Sequence, residues 1–207
     1  MKIRTRIISA ISVLIMISTL LSSNTFAYRI LEYSGIQCSG VQNGYIVFQS
    51  WEGFTSETRW AVDYASRQWN TRTGNTVLYH SSTQHNTNIP KQVDGKNLIT
   101  KVALDPVEES DTLMLTTSWV RKDDLKKYHV ESDIEINSLK KWYNNGSLNG
   151  YDIQNVMTHE FGHMLGLNDL WDSPEKEFTM YDRIEYGELK KRTLEQDDLN
   201  GFHAIYG

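Results

Sequence analysis

The stretch VMTHEFGHMLGLNDL, Val156–Leu170, decides how this chain is read. His159 and His163 stand four residues apart, so a helix sets both imidazoles on one face, about 6 Å from each other. Two neutral ring nitrogens converging from one side suit a Zn²⁺ ion, which takes them at roughly 2.0–2.1 Å. Glu160, next to the first histidine, leans toward the open side, where it can accept a proton from water on the ion. Gly166 lets the chain leave the helix sharply, because glycine takes a positive φ at little cost. That turn brings back Asp169 as a third ligand. Three protein ligands leave a fourth position for water, which marks a catalytic rather than a structural zinc. The bland alternative, a surface helix with chance histidines, gives no reason for the glycine and aspartate at these intervals.

Outward from this stretch, Asp152 is a good N-cap for the helix, and Ile153, Val156, Met157, Phe161 and Leu165 give it one buried side. Upstream, Tyr45–Phe48 reads as a strand, and Thr55 or Ser56 caps a helix running to about Asn70. Trp60, Ala61, Tyr64, Ala65, Gln68 and Trp69 form its stripe, and Gly74 stops it. Thr76–His80, Asn97–Leu104, Leu113–Val120 and Ser132–Asn137 read as further strands, the last alternating with Ile134 and Ile136 on one face. A short helix starts near Leu194. Strand, helix, several strands, helix and an irregular tail predict an α+β arrangement, one mixed sheet backed by two long helices.

The length of 207 residues accommodates one domain with a sizeable core, and 39% hydrophobic with 23% charged residues is ordinary for a globular chain. Met1–Ala27 reads as an export signal: Lys2, Arg4 and Arg6, then the apolar run Ile7–Leu21, then Thr25-Phe26-Ala27. The alternative, an uncleaved membrane anchor, asks for roughly 20 apolar residues, and this run is short. Cleavage leaves residues 28–44 as a short N-terminal extension and 45–207 as the main domain. It also removes three basic residues, taking the formal net charge from −5 to −8. An acidic chain repels nucleic acid and anionic lipid, so neither is an expected partner, and no stable membrane association is expected after cleavage. Cys38 is the only cysteine, so no internal disulfide forms.

HEFGHMLGLND resembles the metzincin motif H-E-x-x-H-x-x-G-x-x-H, and in detail the matrixins, which read H-E-x-G-H-x-L-G-L. FTMYDR supplies Met180, which the resemblance makes the Met-turn methionine, an apolar floor beneath the ligands. LEQDDLNGFHAIYG resembles the closing matrixin helix, LMLTTSWV the edge strand, SDIEINSLKKW the strand after it, and AVDYASRQWNTRTG the first helix. The likeness spans about Tyr45–Gly207, with Ser81–Asp111 matching least. It implies a metzincin-like zincin fold: a twisted, mixed five-stranded sheet, two long helices including the zinc-site helix, a Met-turn and a C-terminal helix. One departure is plain. The third ligand position holds Asp169, as in snapalysin-like metzincins, not histidine. A carboxylate there weakens the pull of the ion on its water. A gluzincin arrangement with Glu185 as third ligand is the alternative, opposed by Gly166, Asp169 and Met180.

These readings predict a secreted zinc metalloendopeptidase cutting internal peptide bonds, with Glu160 as general base and then proton donor to the amine. The resemblance implies an extended protein or peptide substrate along the edge around Leu113, Thr116 and Trp119, and a side-chain pocket near Tyr181. Two rivals remain: a zinc-bearing peptide-binding protein that no longer cleaves, which has no need of Glu160, and a hydrolase of a non-peptide amide. Matrixins cap their zinc with a pro-segment cysteine in P-R-C-G-x-P-D. Here the surroundings are GIQCSG, leaving Cys38 as a latency thiol, an intermolecular disulfide partner or an idle thiol. His80, His85 and His129 are candidates for a second, structural zinc without the family's spacing, and His203 reads as packed or surface. Asp94, Asp105, Glu108, Glu109 and Asp111 offer carboxylates for Ca²⁺ or form a solvated loop. A monomer is expected.

Overall fold

The computed structural model describes residues 27–87, 91–123 and 125–207, so the export signal expected over Met1–Ala27 lies outside the described residues save for Ala27. In chain order come β1 (Glu32–Tyr33), β2 (Ile36–Val41), β3 (Ile46–Ser50), α1 (Ser56–Thr73), β4 (Leu78–His80) and β5 (Asn97–Val102). Then follow β6 (Met114–Asp123), β7 (Lys126–Asn137), the short pair β8 (Trp142–Tyr143) and β9 (Tyr151–Asp152), α2 (Ile153–Met164) and α3 (Gln196–Tyr206). Among the described residues no helix is long and apolar enough to cross a membrane.

β7 is the axis of the sheet, whose order is β1-β2-β7-β5-β3-β4, with β6 on the opposite flank of β7. One flank of β7 is shared: its start pairs parallel with β2 (Val41↔His129) and its end parallel with β5 (Ile99↔Ile134). Along the other flank runs β6, antiparallel from Met114↔Ile136 to Asp123↔Lys126, and among the described residues no strand covers its outer side. The expected mixed α+β sheet with two long helices is therefore present, with seven strands instead of five. The additional two, β1 and β2, lie within the short N-terminal extension, residues 28–44. Its Cys38 and Val41 are buried, but a six-residue strand broken by glycine gives little periodicity to read.

The helices form where their caps and apolar stripes set them. Thr55 Oγ1 accepts from the Thr58 amide at 3.2 Å to start α1. Asp152 starts α2, its Oδ1 accepting from the Asn155 amide at 3.0 Å. Asp152 is fully buried, and Arg192 clasps it through Nε at 2.8 Å and Nη2 at 2.6 Å. This two-pronged pair compensates the buried charge and ties the start of α2 to the chain leading into α3. Between the helices, Trp69 is wholly buried and donates its indole N–H to the Thr158 carbonyl at 2.9 Å. Phe48 of the sheet meets Phe161 of α2 with ring centres 5.1 Å apart, closing the core on the sheet side. Such rings bury roughly 150–250 Å² each and dominate the stability of a core this size.

Candidate metal centre

α2 is buried along nearly its whole length, which holds its last two turns rigidly beneath the edge strand. From this helix His159 and His163 turn the same way, with Nε2 atoms 3.1 Å apart. Gly166, at φ +100°, reverses the chain immediately afterwards. Asp169 Oδ1 then stands 3.2 Å from His159 Nε2 and 3.5 Å from His163 Nε2. A tetrahedral ion with ligand bonds of about 2.0–2.1 Å spaces its ligand atoms about 3.3–3.4 Å apart, so this triangle has the size zinc requires.

The far side of each ring is fixed as well. His159 Nδ1 donates to the Thr179 carbonyl at 2.8 Å, and His163 Nδ1 to the Leu167 carbonyl at 2.9 Å. With Nδ1 carrying the hydrogen, Nε2 presents its lone pair to the centre, the arrangement metal-binding histidines need. Three electron-rich atoms this close call for a cation among them. Without an ion, the same site draws in a proton as its positive charge. Burial pulls His163 down, but the hydrogen bond to Asp169 and the charges of Glu160 and Asp169 outweigh it and push the ring to about 9. Burial raises Asp169, yet hydrogen bonds and charge from both rings hold it far below the usual carboxylate range. Among the described residues this is the one group of side chains that can hold a metal.

Met180 packs against α2 at Gly162. It is buried, in the turn that returns toward Asp169: its carbonyl accepts from the Leu170 amide at 2.8 Å. Asp198, at the start of α3, accepts from the amides of Thr179 and Met180, each at 3.2 Å, and so anchors both the methionine and the carbonyl that orients His159. Sequence reasoning missed Thr179, Leu167 and Asp198. The first two act through backbone carbonyls, which no residue type reveals.

A cleft of about 1140 Å³ runs over these groups, between the outer side of β6 and residues 182–185. Leu113 and Thr116 line it, together with Glu160, His159, His163 and Asp169; Trp119 and Tyr181 are not among its lining residues. Tyr181 instead packs partly buried against the core, and Asp182 to Glu185 form that wall. Glu185 thus sits on the rim, outside the group formed by His159, His163 and Asp169. Leu31 and Tyr33 also reach the cleft, because the segment before β2 is stitched to the ligand loop through Leu31 N to Gly166 O at 2.8 Å and Asn168 N to Arg29 O at 2.8 Å.

Cys38 does not cap the centre in this fold. As part of β2 it is buried against the back of Gly166, and burial pushes its thiol up, the state of a packing group. His80, His85 and His129 are not gathered into a second site. They bond separately to Ser50 Oγ (2.8 Å), the Ile99 carbonyl (3.1 Å) and the Met164 carbonyl (3.0 Å), and His203 is exposed. Nor do the acidic residues of the middle region form a group of ligands. Asp105 caps its own turn through the Val107 amide at 2.7 Å, and the Lys91 ammonium stands 3.0 Å from Glu135 and 3.6 Å from Glu109.

A centre of this kind, on a buried helix below an antiparallel edge, has the donor atoms and the spacing to hold a divalent cation beside an open cleft. The chain belongs to the matrixin family of peptidases, whose model matches residues 23–207. It is 33% identical to human neutrophil collagenase over 78 residues, 38% of this chain and 16% of that protein. To metalloendoproteinase 2-MMP of Arabidopsis thaliana it is 32% identical over 88 residues, 39% of this chain and 21% of that one. The matched part is thus a fifth or so of the length of these relatives. High choriolytic enzyme 1, a hatching enzyme zinc-protease from the medaka Oryzias latipes, aligns over 86% of this chain and 98% of its own at a TM-score of 0.42 and 11% identity.

Proposed function

We propose that this matrixin is a secreted zinc endopeptidase with His159, His163 and Asp169 as ligands and Glu160 as general base. The observation that carries the reading is the ligand triangle of 3.1, 3.2 and 3.5 Å, with both Nδ1 atoms engaged elsewhere. Zinc bound there would supply a Lewis acid that polarises the scissile carbonyl and acidifies water toward a pKa of about 7. The carboxylate of Glu160 faces the same cleft, takes the proton of the attacking water and passes it to the departing amine. Asp169 contributes a negative charge where a histidine would be neutral, so it tightens the hold on the cation and tempers its acidity.

The outer side of β6 offers unpaired backbone groups beside the ligands, and an extended peptide pairs with such an edge as an added strand. Secretion is supported by the Met1–Ala27 sequence pattern. The test is direct. Protein purified from the medium is expected to carry one equivalent of zinc and to digest casein, and both properties should vanish on chelation and return with added zinc. The Glu160→Ala protein should keep the zinc and lose the digestion. Undiminished digestion by that variant would remove Glu160 from its assigned role.

A further inference from the structure

Among the described residues the carboxylate of Glu160 has one side-chain hydrogen-bond partner, and it comes from the edge strand. Thr116 Oγ1 donates to Glu160 Oε2 at 2.6 Å, and the same hydroxyl lies 3.4 Å from the Glu160 carbonyl. Hydrogen bonds from a hydroxyl to an ionised carboxylate run about 2.5–2.7 Å, shorter than neutral ones and roughly twice as strong. The contact therefore belongs to the strong class. Its placement follows from strand alternation: Thr116 stands opposite Ile134, whose side chain is in the core beneath the sheet, so Thr116 points to the same side, toward α2. Two residues on, Ser118 bonds instead to Ser132 Oγ at 2.7 Å, so its hydroxyl is engaged along the sheet and not with the base.

A glutamate carboxylate otherwise turns freely about its last torsion, which is broad and nearly two-fold. For a base that must receive a proton from one direction and deliver it in another, that freedom costs rate. We infer that Thr116 is a positioning residue for Glu160: its hydroxyl pins Oε2 and leaves Oε1 as the oxygen presented to the attacking water. This inference rests on the proposed role of Glu160 as base. It gives the edge strand two duties, since the same residue that borders the substrate also sets the orientation of the base.

The test compares zinc-loaded wild type with Thr116→Val, which keeps shape and strand preference without the hydroxyl, and with Thr116→Ser, which keeps the hydroxyl. On a quenched-fluorescence peptide, Thr116→Val is expected to lower kcat roughly tenfold to a hundredfold, the scale of a misplaced catalytic group, with KM changed by less than about threefold. Thr116→Ser should restore kcat to within about threefold of wild type. Zinc affinity, measured by competition with a chromophoric chelator, should be the same in all three. Affinity for a small peptide hydroxamate, which chelates zinc and gives its proton to the base, should weaken in the valine variant alone. Thr116→Ala replaces the valine variant should that one not fold. A valine variant with wild-type kcat and wild-type hydroxamate affinity would overturn the inference, as would a loss confined to KM or a serine variant as impaired as the valine one. Glu160→Ala separates the two levels: if it is inactive while Thr116→Val is fully active, only the role of Thr116 falls, whereas an active Glu160→Ala removes both.

Discussion

The sulfur of Met180 lies where a side chain on Gly162 would have to be: a β-carbon built on that glycine would stand 2.2 Å from it, with Trp69 at 3.1 Å closing the other side. Gly162 is the residue just before the second histidine, so the methionine supports the metal helix by direct contact with its backbone. Gly162→Ala is expected to destabilise the fold by roughly 1–3 kcal/mol, the usual cost of overpacking. It should also weaken zinc binding, because the helix must move to admit the methyl group. Urea unfolding and chelator competition measure the two effects, and a variant unchanged in both would show that the floor gives way freely.

Asp198 gathers three amides, those of Thr179, Met180 and, at 2.8 Å, Glu195. Replacing it by alanine leaves buried donors without an acceptor, at about 1–3 kcal/mol for each group so stranded. Since the Thr179 carbonyl orients His159, zinc affinity should fall about 10–100-fold, the range seen when a partner of a ligand is removed. Asp198→Asn, which keeps one acceptor oxygen, should fall between wild type and alanine in both measurements.

Asp169 is the proposed ligand that the sequence pattern makes least ordinary. Asp169→Ala should cost more zinc affinity than loss of an outer partner, roughly a hundredfold or more. Asp169→His should retain the metal. Zinc at a hundred times its dissociation constant stabilises the fold by about 2.7 kcal/mol, so chelation should lower the melting temperature of wild type and of Asp169→His, but not of Asp169→Ala. A chelator-sensitive melting point in the alanine variant would place the third ligand elsewhere.

Lys191 is fully buried, and no carboxylate among the described residues lies within ion-pair distance of it. Its ammonium donates to the carbonyls of Tyr181 and of Arg183, the latter at 2.9 Å, at the start of the segment that walls the cleft. Burial pulls this lysine from 10.5 down to about 8, against a raising contribution from Glu188. Between those values the unfolded chain holds the proton and the folded chain does not. Stability from this group therefore rises with pH, by up to about 1.4 kcal/mol per unit. Compared with Lys191→Met, wild type should gain stability between pH 8 and 10 in urea unfolding. A difference constant with pH would show that the ammonium is not disfavoured there.

Much of the site was legible along the chain because its parts are close in sequence. A helical repeat sets His159 and His163 on one face, and Gly166 to Asp169 is a short turn, so local stereochemistry alone brings three candidate ligands together. The cap at Asp152, the first helix from Thr55 and the strands around Ile99 and Ile134 were legible for the same reason, a residue pattern with its period. What stayed hidden acts across distance or through the backbone. β2 has too few residues to display a period, and its pairing with His129 on β7 depends on the sheet. That pairing buries Cys38 behind Gly166, a position that no neighbour of the cysteine in sequence announces.

Residue types and their spacing set out the chemistry on offer: which atoms can bind a divalent cation, which carboxylate can move a proton, and where helices begin and turn. The tertiary structure alone decided how those atoms are aimed. Thr116 against Glu160, Thr179 against His159 and Asp198 against the methionine turn are contacts between segments 18 to 44 residues apart. The physical reason is that a side chain carries its reactivity with it, whereas its orientation is set by whatever the folded chain packs and hydrogen-bonds around it.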